Sequence, residues 1–208
     1  MYKSSLIVGL LILGLCGSKC AADEPKVLAV GEWSKPVKDD RGYAIRGRLV
    51  LCEKPSGDKL RETPLYIELQ DASEFIGGDL RLYCAMGRHD FRAEAKEGLA
   101  CELKDEAGRV VESQSFPFGG GVPKSQWISL PSDSTIRLRA TPFGIRRESA
   151  ITLCPHLGSQ WVIGQDDAKA YFLSGTFTIA PPKDAEESTT EHVWRGTIDL
   201  PAMKIVNR

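Results

Sequence analysis

The sequence has one asparagine, three histidines and three methionines in 208 residues, so several common chemical tools are scarce. The asparagine is Asn207, and no Asn-x-Ser/Thr sequon occurs within the sequence. The histidines are His89, His156 and His192, and none sits in a local catalytic signature. Gly-x-Ser-x-Gly, His-Glu-x-x-His and a lysine-bearing phosphate loop are all missing. A triad hydrolase needs a histidine base placed between a nucleophile and an acid, and no spacing here suggests one. Three scattered histidines give no ligand spacing for zinc or copper. Asp166-Asp167-Ala168-Lys169 lacks the alternating oxygen ligands of a calcium loop. The carboxylate pairs Asp39/Asp40 and Asp166/Asp167 lie close to Gly42 and Gly164, where solvated turn residues are expected rather than a glycosidase pair. Gly119-Gly120-Gly121 lacks the strand-to-helix setting of a phosphate cradle and is read as a turn. No catalytic, cofactor-binding or metal-binding residue is assigned, and the chain is expected to be a non-enzyme that needs no cofactor.

Long apolar runs are missing too, with one exception. Leu6 to Leu15 is apolar, follows Lys3, and leads to Cys20-Ala21-Ala22 just before Asp23. A positive charge, a short apolar core and small residues at the −3 and −1 positions predict a secretory signal peptide over 1–22. The run is far short of the ~20 residues that cross a bilayer as a helix, so no transmembrane segment is expected after cleavage. Leu15 before Cys16 and Lys19 before Cys20 argue against lipid anchoring, which wants a small residue there. The chain is thus expected to be exported, to the periplasm, the cell surface or the medium.

Neither sign of charge dominates. Removing the leader takes away two of the 27 basic residues and none of the 28 acidic ones, so the net charge moves from −1 to −3. Nucleic-acid binding calls for a basic footprint, and this balance argues against it. Four cysteines remain after cleavage, Cys52, Cys84, Cys101 and Cys154, an even number that suggests two disulfides in an exported protein.

Strand patterns fill the rest. Ala44–Leu51, Leu65–Leu69, Leu80–Cys84 and Ile136–Ala140 alternate apolar and polar residues, and Tyr171–Ile179 is the longest candidate. Period two means one buried and one wet face. Asp105-Glu106-Ala107-Gly108 should turn 99–104 back along 109–115 as a hairpin. Pro55–Asp58, Gly77–Asp79 and Gly164–Asp167 supply further turns. Asp90 to Gly98 is the one place for a short helix. Residues 181–192 read as a solvated loop, and Val193–Val206 as a further strand. The expectation is all-β with little helix: a single antiparallel β-sandwich domain over 23–208, immunoglobulin-like in general architecture without being a true immunoglobulin domain. Cys84 shares a face with Leu80 and Leu82, and Cys101 with Leu99 and Leu103, so Cys84–Cys101 is one candidate disulfide. Cys52 and Cys154 are the other candidate pair.

Longer stretches carry a resemblance. Phe118-Gly119-Gly120-Gly121-Val122-Pro123, Trp127–Pro131, Ser134–Arg139, Pro142-Phe143-Gly144, Trp161-Val162-Ile163, Tyr171–Phe177 and Trp194–Ile205 resemble uncharacterised exported proteins of planctomycete-type bacteria. The resemblance spans 27–206 and implies an exported β-rich domain; it implies no activity.

Trp33, Trp127, Trp161 and Trp194 are candidate ligand-platform aromatics, with packing at the ends of the sandwich as the plainer reading. Arg46/Arg48 and Arg137/Arg139 fall on polar strand faces, where acids of neighbouring strands should pair with them. The function expected is an exported, non-enzymatic binding or structural module of the cell envelope, with an envelope protein or a glycan as partner. One alternative is a carbohydrate-binding module, which needs two exposed tryptophans on one face. The other is an inhibitor of secreted proteases, which needs a protruding loop such as 117–124 or 146–149.

Overall fold

A computed structural model describes residues 25–56, 60–74, 78–84, 98–115, 126–140, 144–147, 150–156, 159–164, 170–181 and 192–206. It is an all-β, antiparallel β-sandwich, and no helix occurs among the described residues. The leader and residues 90–97 of the helix candidate lie outside them.

The backbone of the fold is β3 (Ala44–Ser56), a 13-residue strand that serves two halves of one ten-stranded sheet. Its first half pairs with β5 (Leu65–Asp71), which pairs in turn with β10 (Thr135–Arg139). On its other side lie β1 (Lys26–Val30) and β2 (Val37–Lys38). The end of β3 turns into β4 (Leu60–Glu62), followed across the sheet by β11 (Gly144–Arg147), β12 (Ala150–His156), β13 (Ser159–Ile163) and β8 (Gln114–Ser115). A second sheet holds β7 (Gly98–Asp105), β14 (Ala170–Ile179) and β16 (Gly196–Val206). A third and small sheet holds β6 (Leu80–Cys84) and β9 (Gln126–Leu130), with β15 (His192–Val193) added in parallel.

Alternation explains the packing. Ile45, Leu49 and Leu51 of β3, Leu65, Ile67 and Leu69 of β5, and Ile198, Leu200, Met203 and Ile205 of β16 point into one cluster of buried side chains. Leu80, Leu82 and Leu130 of the small sheet join the same cluster. Gly47 lets β16 come close, because a Cβ there would sit 3.0 Å from a Leu200 methyl. Fully burying each large aliphatic side chain is worth about 1.5–3 kcal/mol, so this cluster is a major source of stability.

Two expectations need correction. The turn at Asp105 forms, with Gly108 at φ 80 and the Asp105 carboxylate accepting from the amides of Ala107 and Arg109. Its return arm runs beside β7 only as far as the Lys104↔Val110 bridge and the bond from the Val111 amide to the Leu103 carbonyl. The chain then leaves to pair β8 with β13, so no full hairpin results. Neither expected disulfide is formed: Cys52, Cys84, Cys101 and Cys154 are free thiols. Cys52 on β3 and Cys154 on β12 belong to strands separated by β4 and β11, about 14 Å at the usual strand spacing. Cys84 and Cys101 lie in different sheets.

Candidate functional site

Two features organise charge on this molecule. The first is built on the connection between β2 and β3. Asp39 shapes it: the Asp39 amide donates to the Tyr43 carbonyl (2.9 Å), and Asp39 Oδ1 accepts from the amides of Arg41 and Tyr43 (3.0 Å each). Gly42, at φ 88, takes the left-handed step that closes the turn. Asp-Asp-Arg-Gly thus carries its own turn chemistry.

The same Asp39 reaches across to His192, 153 residues later. Its Oδ2 lies 2.6 Å from His192 Nε2, and Arg41 Nη1 lies 3.1 Å from His192 Nδ1. Tyr43 stacks on the imidazole with ring centroids 3.9 Å apart and planes 18° from parallel. Both members are nearly enclosed, with 9% of the His192 side chain and 5% of the Asp39 side chain exposed. A guanidinium can only donate, so Nδ1 accepts and Nε2 carries the hydrogen given to Asp39. Both ring nitrogens are then engaged. Neither is open to accept a proton from a substrate, which makes the group a clamp in this state. Under it, the fully buried Trp194 donates from Nε1 to the Tyr43 carbonyl (3.3 Å). Beside it, Asp39, Asp40, Arg41, Val193 and Arg195 line a pocket of about 370 Å³. Arg195 also donates to the Pro181 carbonyl (3.3 Å).

The second feature is the outer face of β3, β5 and β10. Register places Arg48, Glu68 and Arg137 on one rung, Arg46, Gln70 and Thr135 on the next, and Tyr66 opposite Arg139. Glu68 is 5% exposed. It accepts from Arg48 Nε (2.7 Å) and from Arg137 Nε (2.9 Å) and Nη2. Burial pushes its carboxyl up, and the two arginines outweigh that, leaving it below its ordinary value. Arg46 Nε donates to Gln70 (2.7 Å), and Arg139 pairs with Glu62. The guanidinium carbons of Arg48 and Arg46 lie 4.4 and 5.1 Å from the Trp33 ring centre, and that of Arg137 lies 5.7 Å from Tyr66. The expected pairing with an acid of a neighbouring strand is thus present for Arg48 and Arg137; Arg139 of β10 reaches Glu62 on β4, which is not its neighbour in the sheet, and Arg46 has a neutral partner. A comparable knot lies elsewhere: the 3% exposed Glu53 accepts from Arg61 (2.6 Å) and Arg146 (3.0 Å).

The four tryptophans do not assemble. Trp161 is buried and donates to the Val111 carbonyl (3.0 Å), and Trp194 is buried in the clamp. Trp33 and Trp127 are both half-buried but lie apart, Trp33 in the connection between β1 and β2 beside Arg46 and Arg48 of β3, and Trp127 on β9 beside Tyr83 and Arg81 of β6. A platform of all four is therefore not formed. Of the inhibitor loops, 117–124 lies outside the described residues, and so do 148–149. Arg146 is a strand residue tied to Glu53, not a loop tip. His89, Asp166, Asp167, Gly119–Gly121 and the His156 side chain also lie outside the description. Among the described residues no group of three His, Cys, Asp or Glu side chains is placed to hold a metal. Sequence reading missed the Asp39–His192 pair. The turn setting marked Asp39 as a solvated turn residue; the turn forms but its side chain is enclosed, and nothing local marks a partner 153 positions away.

No protein-family model, no curated protein and no solved structure matches this chain.

Proposed function

We propose that the chain is an exported, non-enzymatic binding or structural module of the cell envelope. The observation that carries this reading is the His192 clamp. The one histidine whose side chain is described has both nitrogens committed to Asp39 and Arg41, so it holds chain segments together rather than serving a substrate. The buried carboxylates Glu53 and Glu68 are likewise each bound by two arginines. A sandwich whose buried charges are paired in this way suits presentation of a surface or loops to a partner. The secretory pattern at 1–22 and the resemblance to exported planctomycete-type proteins supply the compartment in this reading.

The test uses residues 23–208 with chromogenic ester, glycoside and peptide substrates, beside a His192→Gln variant. No turnover is expected from either protein. Turnover of any of these substrates by the parent overturns the reading, and its loss in His192→Gln assigns the histidine to the reaction. Soluble envelope glycans are added in a parallel thermal scan. A ligand at a hundred times its dissociation constant should raise stability by about 2.7 kcal/mol, or roughly 5–10 °C for a domain of this size.

A further inference from the structure

We propose that the arginine face of β3, β5 and β10 is a docking surface for acidic polysaccharide, an inference that rests on the binding-module reading and names its ligand. Four guanidinium groups, from Arg46, Arg48, Arg137 and Arg139, share this face with two carboxylates, Glu68 and Glu62. These six groups sum to +2 on a chain whose overall charge is −1. Strand spacing sets the layout. Arg48 and Arg137 stand two strands apart, about 10 Å, and Arg46 and Arg48 two residues apart, about 7 Å.

The cations are held in place before any ligand arrives. Arg46 and Arg48 lie over Trp33, and Arg137 lies over Tyr66. Arg46 commits only Nε, to Gln70; Arg48 commits only Nε, and Arg137 Nε and Nη2, to Glu68. A guanidinium has five N–H donors, so each of the three keeps donors with no acceptor among the described residues. Side chains already ordered by stacking and hydrogen bonds lose little entropy on binding. Arginine's planar fork suits carboxylate and sulfate oxygens.

The ring contacts also choose between polyanions. Single-stranded nucleic acid needs aromatic faces on which bases stack, and here guanidinium groups already cover a face of Trp33 and of Tyr66. A saccharide bearing carboxylate or sulfate needs the guanidinium groups themselves. A polymer that repeats its charges can engage several of the four at once.

The experiment immobilises dextran sulfate, polygalacturonate, neutral dextran and single-stranded oligothymidylate, and measures binding of residues 23–208 across a salt series. The variants are Arg46→Gln, whose partner Gln70 is neutral, and Arg137→Gln. Lys204→Gln is the control; it removes one exposed positive charge from β16. The expected result is salt-sensitive binding to the two acidic polysaccharides and not to dextran. Each arginine variant should weaken it about fivefold or more, with the salt slope shallower by roughly one unit, while the Lys204 variant binds as the parent does. Far-ultraviolet circular dichroism checks that each variant is folded; should Arg137→Gln fail to fold, Arg46→Gln still decides. Absence of binding to both acidic polysaccharides, equal loss in the control, or tighter binding to the oligonucleotide each overturns the proposal. Such a failure leaves the module reading standing, because that reading falls on substrate turnover by the parent protein.

Discussion

Replacing Glu68 by glutamine tests the electrostatic account of the outer face most directly. The substitution keeps size and one acceptor oxygen and removes the charge between Arg48 and Arg137. Three hydrogen bonds to the carboxylate are at stake. Breaking a buried ion pair costs about 3–5 kcal/mol, and an exposed pair is worth at most about 1 kcal/mol. Glu68 is buried, but the side chains of its partners are 29% and 42% exposed and can be solvated again by water. The expected cost at pH 7 is therefore intermediate, about 2–3 kcal/mol. That lowers the thermal midpoint by about 4–12 °C for a domain of this size. The pH dependence follows from linkage. The folded carboxyl lies below its ordinary value of 4.5, so its stabilisation is fully present above that value. It fades as pH falls through the depressed folded value. Urea unfolding of parent and Glu68→Gln at pH 7 and pH 2 should show a gap at neutral pH that closes in acid. A gap under about 0.5 kcal/mol at pH 7, within the ordinary range for surface changes, or one equally large at pH 2, refutes the reasoning.

Two further outcomes follow from packing and burial. A Cβ on Gly196 would lie 2.6 Å from the Trp194 indole, which is rigid and fully buried; Gly196→Ala should cost about 1–3 kcal/mol by overpacking. It should also change the near-ultraviolet tryptophan spectrum, and an unchanged spectrum with unchanged urea midpoint contradicts the packing described. Burial pushes the thiols of Cys84 and Cys154 up to about 12 and about 11, and raises that of Cys52. In the native protein at pH 8 these three should resist iodoacetamide, and all should react on unfolding without reductant. Rapid native labelling contradicts their burial, and no labelling after unfolding shows that they are oxidised to disulfides.

The β architecture was legible locally, because alternation of side chains is a property of neighbouring residues. Ala44–Leu51, Leu65–Leu69 and Leu80–Cys84 alternate in the sequence and are strands in the fold, with the apolar set inward. The same parity put Arg46, Arg48 and Arg137 on outer faces, and Asp39 and Gly42 declared their turn. What the sequence could not supply were choices made by partners distant along the chain. The stretch after Gly108 has a strand's pattern but joins β13 instead of continuing along β7, since pairing follows whichever edge lies within reach. Cysteine count suggested bridges, but strand order puts Cys52 and Cys154 too far apart for one. Trp194 and Trp161 looked no different from Trp33 and Trp127 as letters; packing buried the first pair and left the second half-exposed. The sequence by itself thus determined strand content, face polarity and turns, all set by short-range sterics and solvation. Tertiary structure alone decided that Asp39 meets His192 and that Glu68 stands between two arginines, because each contact exists only once segments distant along the chain are packed side by side.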